Sequence, residues 1–323
     1  MICQLYIDWL ISGLIKYHDT LKYLALFNLS IILLFTSCVG QNTSTQTTIT
    51  QANLYQRIQR TAPLYSPVPK PGSRDWLATH KEPGQTFKQY QQTTKPDPEE
   101  QKKVFYIQPI GKFNPKQQEI LQLTAKYLSI YYQLEVKFLP NIPTSAIPAK
   151  AQRKNKYTKQ NQILTTYLLY DLLKKNFPKD AALILGLTSE DLYPAASWNF
   201  VFGQASLRDK VGVWSMSRFG DPTIKANYNL CLLRTFKTAT HETGHMLNIH
   251  HCIAYHCNMG GSNHLVELDK KPVWFCPECT TKVCWRKKIS PTKRTQELAQ
   301  FWRKLGFKEY RDFYKRAQKL INK

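Results

Sequence analysis

Acidic side chains are scarce in this 323-residue sequence: 22 Asp and Glu face 45 Lys and Arg, leaving a formal net charge of +23 at pH 7. So large an imbalance favours anionic surroundings such as phospholipid headgroups, lipopolysaccharide or nucleic acid, but identifies no fold. The interleaved aromatic and basic pattern of a known nucleic-acid module is missing, so nucleic acid is not an expected partner. The thirteen Lys and Arg of 286–323, set against Glu297, Glu309 and Asp312 alone, read instead as solvated faces of basic C-terminal helices. No internal repeat is evident, which excludes a solenoid. Long apolar runs are also absent, with one exception, Tyr23 to Val39, so membrane attachment has a single candidate. What remains, 42% hydrophobic and 12% aromatic residues, is enough to bury a globular core.

The apolar run follows Lys16 and Lys22 and ends in Leu34-Phe35-Thr36-Ser37-Cys38. A positive region, an apolar core, small residues and then cysteine is the plan of a bacterial lipoprotein signal, in which Cys38 becomes the lipidated first residue. The competing expectation is an uncleaved anchor, since 17 residues is the lower limit for spanning a bilayer. Either places the globular part outside the cytoplasm. We therefore expect a signal or anchor over 1–38, a low-structure tether and lead-in over 39–100, and one domain over 101–323. Gln41 to Gln51 is too polar to order itself, and the many prolines of Ala62 to Glu100 suit a lead-in that drapes over the domain.

Within the domain, Val104 to Pro109 reads as a strand, and Asn114-Pro115 as an N-cap with proline at the first position of a helix carrying Ile120, Leu121, Tyr127 and Leu128. Leu134 to Leu139 reads as a second strand. A helix is expected from about Gln162 to Asn176, where leucines recur every four residues, and Ala181 to Leu187 as a strand buried on both faces. Gly212 to Arg218 reads as a further strand, either near an edge, where it could add an extended peptide beside a metal, or internal with no ligand. The alternation predicts an α/β (α+β) domain with a mixed sheet.

Chemistry concentrates after residue 237. His241 and His245 stand four apart on a helical stretch, so both imidazoles project from one face toward a shared ion, with Glu242 between them. Asn248 stands where the helix must stop and reverse, and His251 returns a third imidazole, leaving one coordination position open for water. Metzincins usually have glycine at that turn; asparagine is the commonest non-glycine residue in the left-handed conformation it requires. Cys252 and Cys257, then Cys276 and Cys279, have the paired short spacings of a closed four-thiolate zinc site, with two disulfides as the alternative in an exported protein. Cys231 and Cys284 have no assignable partner.

The run from His241 to Cys252, with Cys257-x-Met259, Ser262-Asn263, Glu267-x-Asp269, Pro272 and Cys276-x-x-Cys279, resembles the archaemetzincin signature, as do Gly186-x-Thr188-x-x-Asp191-Leu192-Tyr193 and Trp198 to Gly203 upstream. Asp75-Trp76-Leu77 and Gly84-Gln85-Thr86-Phe87 are similar to longer members. The resemblance implies a compact metzincin-like zincin domain with an active-site helix, a zinc-stapled Cys252–Cys279 segment, and Met259 as the Met-turn methionine under the three histidines. It implies two zinc ions, one catalytic and one structural, and hydrolysis of a peptide or protein by a zinc-activated water with Glu242 as general base. A monomer is expected. The rival readings are a non-catalytic zinc-binding surface lipoprotein of the same fold and a polyanion-binding module. Tyr255 is considered as an oxyanion group only for its nearness in sequence, His256 as an intruder at the cysteines, and His250 and His264 as bystanders.

Overall fold

The computed structural model describes residues 53–97 and 104–323; Cys38, the apolar run and most of the tether lie outside them. In chain order the elements are α1 (Trp76–Thr79), α2 (Phe87–Thr93), β1 (Val104–Ile110), α3 (Pro115–Tyr132), β2 (Glu135–Phe138), β3 (Gln152–Lys154), β4 (Asn161–Leu164), β5 (Ala181–Thr188), β6 (Asp191–Tyr193), β7 (Gly203–Ala205), β8 (Val211–Ser215), α4 (Lys225–Met246), α5 (Leu265–Lys270), α6 (Pro277–Lys287), α7 (Pro291–Lys304) and α8 (Lys308–Ile321).

The main sheet has the order β2-β1-β5-β8-β7, parallel except for the antiparallel last strand. Every residue of β5 is buried, which is why it can sit at the centre. Alternation along the strands splits the core: Leu183, Leu185 and Leu187 face the cluster beneath α3 and α4, while Ile184 and Val213 face a second cluster against the three-stranded sheet β3-β4-β6. Asn114 caps α3 reciprocally with Gln117, and Pro115 opens it, as its sequence dictates. The mixed sheet and α/β architecture are those expected.

Three expectations are decided by the structure, the first as a correction. Gln162 to Leu164 form strand β4, paired with β6; only 165–173 is helical, and Tyr167–Leu173 is wound as a π-helix. Leucine spacing could not distinguish a strand running into a wide helix from one long helix. Second, of the two readings of Gly212 to Arg218 the internal one holds: the strand ends at Ser215, is buried throughout and lies inside the sheet, and the edge is β7. Third, the described part of the lead-in packs on the domain: Leu54–Lys323 forms one compact unit. Ile58, Phe87 and Tyr90 are buried, with Phe87 and Tyr90 edge-on to Trp285 of α6. Single aromatic anchors at irregular spacing leave no periodicity to read. Among the described residues no helix is long and apolar enough to cross a membrane.

Candidate active site

The last turns of α4 deliver His241, Glu242 and His245 to the floor of a cleft of about 850 Å³, which His251 also lines. The helix stops at Leu247, and Asn248 takes φ 64°, the left-handed turn expected of it, which lets the chain double back. Its side chain is anchored: Nδ2 donates to Thr94 Oγ1 at 2.8 Å. The imidazole rings then converge, with centroids 4.6, 4.9 and 5.2 Å apart.

Each imidazole has its Nδ1 engaged from outside. His241 donates to the Asn258 carbonyl at 2.8 Å, His245 to the Ile249 carbonyl at 2.7 Å, and His251 to Glu82 Oε1 at 2.6 Å. These bonds fix the tautomer and leave Nε2 to point inward. Burial pushes all three imidazoles toward the neutral form, His241 well below its ordinary value, His245 down to about 3, and His251 lowered despite Glu82. The Nε2 atoms of His241 and His245 therefore face each other as bare lone pairs only 3.0 Å apart. Two acceptors that close repel unless a cation sits between them, so the donor set fits a divalent metal with borderline-soft preferences, zinc above all.

Glu242 is buried, and burial pushes its carboxyl up to about 8. Its place depends on Gly203 of β7, where a Cβ would stand 2.7 Å from Glu242 Oε1. Met259 is buried beneath the site, its sulfur against Gly244 of α4 where any Cβ would collide. Among the described residues no Lys or Arg lines the cleft; Trp198, Phe200, Phe202 and Leu207 give it an apolar wall.

Cys252, Cys257, Cys276 and Cys279 also converge, their sulfurs all within 4.8 Å of one another and fully enclosed. Cys252 and Cys276 Sγ are 3.7 Å apart, far too long for a disulfide and close to the edge of about 3.8 Å of a tetrahedron whose sulfurs lie about 2.3 Å from a zinc. Main-chain N–H groups of Met259, Cys276 and Cys279 point at the sulfurs of Cys257 and Cys276 at 3.1–3.5 Å, favouring thiolates. Hydrogen bonds from neighbouring thiols hold Cys252 well down, while burial holds Cys276 up. Cys231 and Cys284 are buried core thiols, both pushed up to about 11 by burial.

The remaining residues fall away from the chemistry. Tyr255 packs edge-on against Tyr65 and does not line the cleft. His264 accepts from the Glu267 N–H and donates to Asp75, tying the lead-in to α5. His256 stands outside the cysteine cluster; His250 does line the cleft. Sequence reasoning missed Glu82, Asn258 and Gly203: the first lay in a segment read as lead-in, the second acts through its main chain, and the third acts by having no side chain.

The family model described as "Peptidase family M54" matches residues 113–284. The chain is 37% identical over 253 residues to archaemetzincin-2 of Rattus norvegicus, covering 68% of this chain and 70% of that one. With archaemetzincin-2 of Homo sapiens it shares 34% over 287 residues, 78% of each chain. Among solved structures, the archaemetzincin of Methanopyrus kandleri is 31% identical, covering 59% of this chain and 99% of that one, with a TM-score of 0.47.

Proposed function

Because the chain belongs to peptidase family M54 and is a zinc metallopeptidase of the archaemetzincin kind, we propose that His241, His245 and His251 hold its catalytic zinc and that Glu242 moves the proton. The observation carrying this reading is the pair of bare Nε2 atoms 3.0 Å apart on α4 beside a buried carboxylate. When bound, the zinc supplies charge that polarises a peptide carbonyl and acidifies water. The protein's own residues do the rest. Glu242 takes a proton from the attacking water and passes it to the leaving amine, and its raised affinity for protons suits both halves of that task. The outer acceptors on Nδ1 keep the imidazoles from rotating. The edge of β7, Gly203 to Ala205, lies along the cleft and can hold an extended peptide through main-chain hydrogen bonds. An apolar wall, free of Lys and Arg among the described residues, suits peptide side chains better than a polyanion.

A second zinc at Cys252, Cys257, Cys276 and Cys279 is part of the proposal, as is a monomeric protein exported and held at the membrane through lipidated Cys38. The export reading rests on the order of charge, apolar core and cysteine before residue 39, and mass spectrometry of the mature amino terminus tests it. Catalysis is tested with peptide libraries. Hydrolysis should stop in chelator and fall by roughly 10²- to 10⁴-fold in Glu242→Gln with zinc content unchanged. Undiminished cleavage by that variant would sink the assignment, and absence of any cleavage by the parent would favour the non-catalytic reading.

A further inference from the structure

We propose that Glu82, which lies outside the residues matched by the family model, is a positioning residue of the metal centre that orients His251 and gives it a charged hydrogen-bond acceptor. The inference rests on the reading of the three histidines as zinc ligands. Two of them need no such help: His241 and His245 are carried by a regular helix and lean on main-chain carbonyls. His251 lies beyond the left-handed turn, on backbone without regular structure. What fixes its ring is Oε1 of Glu82.

That oxygen is itself held. The indole N–H of Trp76 donates to it at 2.7 Å, and the same indole stands edge-on to His251, ring centres 5.1 Å apart, while stacking on His80 at 3.7 Å. Trp76 fits because residue 261 is glycine, where a Cβ would come within 2.5 Å of the indole. Its main-chain N–H is bound by Glu267 at 2.9 Å, whose other oxygen takes the N–H of Asn263 at 2.7 Å. Further along, Gln85 donates to the Asn248 carbonyl and accepts from the His250 N–H, and Lys282 reaches the Gln85 carbonyl. The segment thus grips both the turn that leads into His251 and the His251 ring itself.

The chemistry differs from that at the other two ligands. At His251 the acceptor is a side-chain carboxyl oxygen that is itself fixed by the Trp76 indole N–H. A carboxylate acceptor on Nδ1 makes Nε2 a stronger donor and offsets part of a dication's charge, which a carbonyl does less well. Among the described residues Glu82 and Glu242 are the only carboxylates lining the cleft, and Glu242 is kept for the proton.

The test uses the full chain and zinc itself, titrated against a chelator of known affinity. Glu82→Ala should weaken binding of the zinc lost in His241→Ala by roughly 10- to 100-fold, leaving the cysteine-bound zinc in place. Glu82→Gln, which keeps an acceptor oxygen without the charge, should fall between the two and retain the downfield Nδ1 proton resonance of His251 that Glu82→Ala loses. A merely structural role would lower the melting temperature of the metal-free protein and leave the affinity of the folded fraction alone. Affinity within twofold of the parent in the isosteric Gln variant and in any folded Ala variant would overturn the inference. If the parent bound no zinc sensitive to His241→Ala, the metal centre itself would fail, a different outcome.

Discussion

Two ligand clusters meet in adjacent residues, His251 and Cys252, yet they are built in opposite ways. The three imidazoles are partly exposed and open onto a cleft, with neutral nitrogens held from behind by two carbonyls and a carboxylate. The four thiols are buried, closed on every side and fed by main-chain N–H groups. On the proposed reading, the contrast is that between a site which keeps a corner for substrate and one which only ties chain together. They share backbone: the closed cluster grips 252 and 257, and the residues beside those positions supply the third imidazole, the carbonyl on His241 and the methionine under the floor. With a zinc bound, as proposed, the closed site would staple the open one.

The largest effect should come from cutting that staple. Cys276→Ser combined with Cys279→Ser should reduce bound zinc from two ions to one and remove stabilisation on the order of 10 kcal/mol, read by metal counting and thermal unfolding; a parent that binds one zinc would erase the comparison. Next is the link between the two sites, Lys271, whose buried ammonium donates to Gly260 and Ser262 at 2.6 and 2.5 Å. Burial lowers it to about 8 from 10.5. The folded state thus releases this proton before the unfolded state does, so the charge costs stability below pH 8 and the cost disappears between pH 8 and 10.5. Relative to Lys271→Met, the parent should gain up to about 3 kcal/mol across that window, measured by urea unfolding. Gly203→Ala tests the open site alone: a Cβ against Glu242 should displace the carboxylate and lower kcat/KM by about 100-fold, with both zinc ions retained. Smallest is Asn248→Gly. Glycine is easier in the left-handed turn by up to about 1 kcal/mol, but it gives up the bond to Thr94, of about the same size, so melting temperature should hardly move.

Both clusters could be read in the sequence to the extent that their ligands are local. His241 and His245 sit one helical turn apart, and Cys276 and Cys279 three apart at a helix start, so spacing encodes geometry. Asn248 carried its own signal because few residues besides glycine tolerate φ 64°. The support for those ligands was not legible. Glu82 is 169 residues from His251, and its partner Trp76 sits among prolines and polar residues without periodicity. Asn258 acts through a carbonyl that any residue would supply. β7, three residues long, is too short for alternation to show, so sequence alone left open whether the longer strand β8 beside it was the edge or internal. The leucine repeat at 164, 168 and 172 was real but mixed one strand residue with a π-helix, whose wider turn no four-residue spacing reveals.

The contrast between an open and a closed centre is tested most directly by anomalous diffraction from zinc-loaded crystals, with data collected on both sides of the zinc absorption edge. Two peaks are expected, one about 2.1 Å from Nε2 of His241, His245 and His251 and one about 2.3 Å from the four sulfurs. A peak at the sulfurs with none among the imidazoles would contradict the catalytic centre described above.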